Sequence, residues 1–370
     1  MAEYKGIKGF NVQSVSSDPT NPLIGEVWYN STSDTLKYYA GSTSAGWATG
    51  GNLTTGRRQL AGAGIQTAAV VFGGAYPNFT ATEKYDGLAW ENSGNMNLAR
   101  DSLAGCGTQT AALAFGGNGA KNNTEEYNGT SWVTSNDLAT GRASLGGAGT
   151  QTAGLAFGGA SYPPFVAQTA TEEYNGTSWV TSNDLATGRA SLGGAGTQTA
   201  GLAFGGASYP PFIAQTATEE YNGTAWTGGG TMNTGRYYIG GTGTQTSALA
   251  FGGSPSGVTL NEEYNGSSWT VGGALNTGRQ SIAGAGTETA ALAFGGGLPD
   301  ATAFANTESY NGTSWTNTTA MNVAKRYTAG CGTQTAALSA GGSNDSSGLL
   351  SATEEYIGAE IAGSRTVETN

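Results

Sequence analysis

The sequence predicts an all-β protein in which one four-stranded unit repeats seven times, a seven-bladed β-propeller. Three observations predict it. Repeated marks recur every 42 to 47 residues between residues 47 and 356, and a period of that size means a stacked supersecondary unit. Each copy carries them in one order: an Arg, an apolar run ending in Gly-Gly, a Glu two residues before a Tyr, and then a Trp. No segment sustains a helical period, and four short strands in roughly 45 residues make one propeller blade.

The elements follow in chain order. Residues 1–44 lie outside the repeat, and EVWYN and TLKYY within them read as two strands about a polar turn. This is a short N-terminal β-hairpin, expected to be an attachment segment. Residues 45–357 form the propeller. In the copy from Arg279 to Trp315, strand a is the glycine-spaced segment after the Arg and strand b is the apolar AALAFGG. Strand c is TESY and strand d begins at the Trp. Asn-Gly between c and d is a strong hairpin signal, through the type I′ turn and its positive φ at both central residues. The last copy ends at Tyr356 without a Trp, whereas Trp47 stands ahead of the first Arg. An N-terminal strand around Gly46 to Thr49 is therefore expected to complete the seventh blade and cover an open edge. Residues 358–370 are left as a C-terminal tail.

Composition limits the function. The 370 residues carry a net charge of −11 with no basic cluster, which argues against nucleic acid and anionic membrane as partners. No apolar stretch suits a signal peptide or a spanning helix, so assembly in a cytoplasm without membrane insertion is expected. There is no His, which removes His-bearing zinc sites and Ser-His-Asp or Cys-His catalysis. No metal and no cofactor is expected. Cys106 and Cys331 occupy an Ala slot in non-adjacent copies and read as small buried hydrophobes.

The fixed charges form a set. Arg57, Arg100, Arg142, Arg189, Arg236, Arg279 and Arg326 are assigned to one repeat position. Glu83, Glu125, Glu172, Glu219, Glu262, Glu308 and Glu354 occupy another. Strand alternation puts each Glu on the face of its Tyr. A carboxylate there needs a partner, so each Glu is expected to pair with a repeat Arg, often bidentately. The residue after each Glu varies (Lys84, Glu126, Ser309) and is expected to face water. Seven equivalent pairs suit bracing between blades; a polyanion or sialic-acid site is the other reading.

The b–c loops differ most among copies, and with the d–a connections they share one face. They carry Tyr76, Phe79, Tyr162, Phe165, Tyr209, Phe212 and Phe304, candidate ligand-binding aromatics that suit stacking on sugars or docking on protein. Folding back as plugs of their own loops is the alternative. Residues 127–173 and 174–220 are identical except at Val166 and Ile213. The Asn-Gly-Thr/Ser triplets at Asn128, Asn175, Asn222, Asn265 and Asn311 coincide with the hairpin turns and are assigned to turn chemistry.

Gly-Gly closing strand b, Tyr on c, Trp on d and Arg before the next copy resemble the kelch motif, in all seven copies. Kelch propellers close into a ring with strand a nearest the axis. They include a copper oxidase whose metal site needs His ligands, which this chain lacks. The segment LIGEVWYNSTSDTLKYYAG resembles a short motif of tailed-phage virion proteins. Together with MAEYKGIKGF and the GTQTAALAFGG repeats, the chain is similar to proteins of marine phages. That resemblance implies a virion protein on a tail or fibre, attached to other virion proteins through the N-terminal segment, with homo-oligomers possible. It implies a non-catalytic protein that binds a host surface glycan or protein through the variable loops. A structural decoration or assembly piece is one alternative. A glycan-active enzyme using paired carboxylates, with Asp300 and Asp345 the clearest acids on the variable face, is another.

Overall fold

The computed structural model describes residues 12–20, 22, 26–40, 44–75, 79–255, 257–344, 348–359 and 363–366. The chain divides into two compact units, residues 1–45 with 358–370, and Gly46–Ile357. Among the described residues every regular element is a strand.

The larger unit contains seven four-stranded antiparallel sheets, the repeated arrangement of a β-propeller. In the first sheet, a is Ala61–Ile65, b Ala68–Phe72, c Thr82–Tyr85 and d Trp90–Ser93. The same order recurs, with strand a at Ala104–Thr108, Gly146–Gly149, Gly193–Gly196, Gly240–Gly243 and Ala283–Gly286. The seventh sheet joins Ala329–Gly332, Ala336–Ala340 and Thr353–Ile357 to Gly46–Thr49, with Trp47 opposite Tyr356. Each a strand lies against the a strand of the next sheet, and that of the seventh lies against that of the first.

The sheets pack because strand b is apolar on both faces and fully covered, as a central strand must be. Each Trp of a d strand enters the gap behind its own sheet. Trp132 stands 5.0 Å from Tyr127 of its sheet and 4.8 Å from Phe72 of the preceding one. Trp47 likewise meets Tyr356 and Phe294. The indole N–H of Trp132 donates to Thr82 at 2.8 Å, and that of Trp90 in the first sheet donates to Thr353 of the seventh at 2.8 Å.

The c–d turns differ from the expected type I′ geometry. Gly129 has a φ of 90°, but Asn128 is not in the left-handed region. The Asn128 side chain accepts from the N–H of Thr130 and Ser131 instead. The turn is a four-residue loop organised by the Asn side chain, and Asp86 does the same in the first sheet.

The smaller unit is a four-stranded sheet in the order Gln13–Val15, Val27–Asn30, Thr35–Ala40, Gly363–Thr366. The hairpin read from the sequence forms its centre. Asp18 accepts from Trp28 Nε1, Asn30 Nδ2 and Lys37 Nζ at 3.1, 2.7 and 2.8 Å. The C-terminal segment is not merely a tail: Gly363–Thr366 pairs along the free edge of the hairpin, Arg365 opposite Tyr38. Four residues are too few to announce a strand by periodicity; the open edge recruits them.

Candidate functional site

The fixed residues come first, because they decide what remains for binding. Arg57, Arg100, Arg142, Arg189, Arg236 and Arg279 are fully buried. Each pairs with the Glu of its own copy, at 2.8 Å for Arg57–Glu83 and 3.2 Å for Arg142–Glu172. The pairing is not bidentate. Arg57 gives Nη2 to Glu83 Oε1 and Nη1 to the carbonyls of Ala81 and Gly73. The other oxygen of Glu83 accepts the Thr54 N–H at 2.8 Å. The carboxylate is shared because the d–a connection also needs an acceptor for its amide. Burial pulls the guanidinium pKa of Arg100, Arg142 and Arg189 down to about 10, and the paired glutamates oppose that shift.

Arg326 does not belong to the set. Lys325 stands 3.3 Å from Glu354 and is itself fully buried. Lys325 lies 16 residues before Gly341, the spacing from Arg57 to Gly73, and this register was the better guide than residue type. Arg326 packs instead against the Tyr327 ring, 5.2 Å from its centroid.

Three further bonds link neighbouring sheets. The carbonyl of each buried cation accepts from the second glycine of the preceding sheet, as in Gly74 N–H to Arg100 and Gly342 N–H to Arg57. Gln66, Gln109, Gln151, Gln198, Gln245 and Gln334 of the a–b turns donate to the Tyr carbonyl of the preceding sheet. The Tyr hydroxyls donate backwards as well: Tyr174 to Glu126, Tyr221 to Glu173, Tyr264 to Glu220 and Tyr310 to Glu263. The position after the fixed Glu is therefore half-buried rather than water-facing, and it is an acceptor at Glu126, Glu173, Glu220 and Glu263. Where it is Lys84 or Ser309, Ser93 and Thr318 meet the next Tyr. With the cations and carboxylates committed to the frame, none forms an open anion site.

The variable face is organised by ring contacts. Phe165 packs edge-on against Tyr209 with centroids 4.5 Å apart, and Tyr209 lies 4.8 Å from Phe212. Phe212 meets Tyr237 at 4.9 Å, Tyr237 meets Tyr238 at 5.2 Å, and Tyr238 meets Tyr327 at 6.5 Å. Six rings thus run from the third-copy b–c loop to Tyr327 of the seventh copy. Phe165, Phe212 and Tyr238 are 44, 49 and 40% exposed, and Tyr162 is 61% exposed. Phe79 and Phe304 are half-buried and join no ring contact among the described residues. Tyr76 and Asp345 lie outside the described residues. Asp300 caps a turn by accepting the Thr302 N–H. The two cysteines are free, and burial pushes both thiols up to about 12.

The track ends at a cavity of about 310 Å3. Its walls are the residues two past each buried cation: Gln59, Ser102, Ser144, Ser191, Tyr238, Ser281 and Tyr327. All seven are left-handed, with φ between 51° and 54°, a strain of about 1 kcal/mol each for a side-chain-bearing residue. The sequence reading passed over them. The signal is present in the pairs after the fixed cation: RQ, DS, AS, AS, YY, QS and RY vary more than LAGAG and its counterparts beside them, which all keep Gly at the third and fifth places.

No protein-family model matches the chain, and no curated protein matches its sequence. A solved structure described as "Structure of YjhT" is similar over 72% of this chain and 98% of that one, with a TM-score of 0.57 and 14% identity. That likeness concerns the fold alone, a β-propeller type.

Proposed function

We propose that the larger unit is a closed, seven-bladed kelch-type propeller. In this reading Gly46–Thr49 completes the seventh blade, and the chain is a non-catalytic tail or fibre protein of a phage virion. It binds a host surface glycan through the variable face, and the smaller unit attaches it to other virion proteins. The observation that carries the binding role is the run of six rings from Phe165 to Tyr327. Aromatic faces in series stack on successive sugar rings with little entropy to lose, and a loop plug needs no run that draws on four copies.

Binding of the labelled full chain to susceptible host cells and to a glycan array tests this. The double variant Phe165→Ala/Phe212→Ala is expected to lose about tenfold or more in affinity. Undiminished binding would remove the loops from the reading. Binding to host protein but to no glycan would replace the partner class. Absence of binding to any susceptible host, with this face covered in a particle map, would favour a decoration or assembly role.

A further inference from the structure

The cavity at the axis is a site in its own right. Its seven wall residues are joined by their main chains: Gln59 N–H donates to Tyr327, Ser102 to Gln59, Ser144 to Ser102, Ser191 to Ser144, Tyr238 to Ser191 and Ser281 to Tyr238, at 3.0 to 3.3 Å. These amides are used up within the wall, so they do not form an anion-binding nest. Side chains line the space: four Ser, two Tyr and one Gln, with the Ser102 hydroxyl donating to Asp101 at 2.8 Å and Tyr238 hydrogen-bonded to Ser191. Ser281 Oγ is buried with no partner among the described residues. The next residue of each copy completes the lining as a largely aliphatic floor: Leu60, Leu103, Leu145, Leu192, Ile239 and Ile282, with Thr328 in the seventh. No Lys, Arg, Asp or Glu lines it. A left-handed backbone at seven successive copies is held in place by this belt of bonds, and strain kept in that way clusters at binding sites.

We propose that this cavity binds one neutral pyranose unit, its hydroxyls on the serine belt and its apolar face on the aliphatic floor. The chemistry selects that class. An ion would lose hydration without gaining a countercharge. A purely apolar group would strand the serine hydroxyls. A sugar ring carries hydroxyls around its edge and C–H groups on a face, and it replaces the waters such a polar cavity holds. The volume falls in the range of small-molecule sites. The inference rests on the glycan reading above and deepens it: the aromatic track leads a chain end to the axis.

The test is ligand-observed NMR on the full chain with free D-glucose, D-galactose, D-mannose and N-acetyl-D-glucosamine. At least one is expected to bind with a Kd of about 1–10 mM. Ser144→Asn/Ser191→Asn fills the cavity with a residue that tolerates the left-handed region, and is expected to abolish binding with the melting temperature kept. Ser191→Gly keeps the space, removes one hydroxyl and relaxes the strain; binding should weaken several-fold while stability rises. Binding of none of the four sugars, or binding that survives the filled cavity, overturns the proposal. Host-cell binding that depends on Phe165 and Phe212 would persist in that event, which separates the two failures.

Discussion

Lys325 Nζ stands 3.3 Å from Glu354 Oε1 in the position where six other sheets hold an arginine. It also donates to the carbonyls of Ser339 and Ala352. Both groups are buried, and burial lowers the ammonium pKa while Glu354 opposes that shift. Lys325→Met leaves Glu354 charged and unpaired, and is expected to cost about 3–5 kcal/mol in denaturant unfolding. Lys325→Arg restores the fork used by the other six and is expected to raise the melting temperature. An equal or lower value would mean that the seventh sheet has adapted to lysine.

Asn261 replaces the threonine that receives a Trp indole in the other sheets. Trp315 Nε1 has no partner among the described residues, whereas Trp269 donates to Thr218 at 2.8 Å. Asn261→Thr is expected to stabilise by about 1–3 kcal/mol. A Thr218→Val variant should destabilise by a similar amount; both are read from urea midpoints.

Glu288 stands where six a–b turns carry the glutamine that bonds the preceding sheet. A carboxylate cannot donate to the Tyr264 carbonyl. Glu288→Gln supplies the missing donor, with an expected gain of about 1 kcal/mol. The reverse change, Gln245→Glu, should lose as much, and hydrogen exchange at that seam should quicken.

Gly62 and Gly105 occupy the same place on strand a, but the sheets before them differ. A Cβ on Gly105 would lie 2.6 Å from the Phe72 ring, whereas on Gly62 its nearest neighbour is 3.3 Å away. The seventh sheet carries Ala340 in the Phe position. Gly62→Ala is therefore expected to be neutral or stabilising by up to about 1 kcal/mol. Gly105→Ala should cost about 1–3 kcal/mol through displaced packing. Matching melting temperatures for the two would contradict this account of the seam.

Burial first, then the Glu126 and Glu173 acceptors, hold the hydroxyls of Tyr174 and Tyr221 at about 12. The unfolded chain releases those protons from about pH 10, while the folded chain retains them. Their contribution is complete below pH 10 and is lost as pH rises through 12. Native tyrosinate absorbance is expected to lag that of the denatured chain, and the melting temperature to fall across this window. Tyr221→Phe should flatten the fall; an unchanged slope would assign it to other groups.

Much of the frame was legible in the chain itself. Repetition displays the fixed residues side by side, so Arg57 with Glu83, the Trp47 strand and the apolar b strands are legible in the sequence. Register was the weak point. Arg326 has the residue type of the set but Lys325 has the spacing, and Asn-Gly suggests a type I′ turn although the Asn128 side chain organises a longer loop. The C-terminal strand was invisible because pairing at an open edge needs only backbone, which leaves no side-chain pattern.

The candidate site divides along the same line. The sequence by itself determined that the variable residues between Gly-Gly and Glu share a face, since alternating connections of antiparallel strands fix that. Only the tertiary structure decided that Phe165, Tyr209 and Phe212 join Tyr237, Tyr238 and Tyr327, and that Ser102, Ser144, Ser191 and Ser281 line one cavity. Those serines are 42 to 47 positions from the belt residues to which their amides donate. A local repeat sets what each sheet offers. Only the packing of sheet against sheet brings the offerings of separate copies to one cavity.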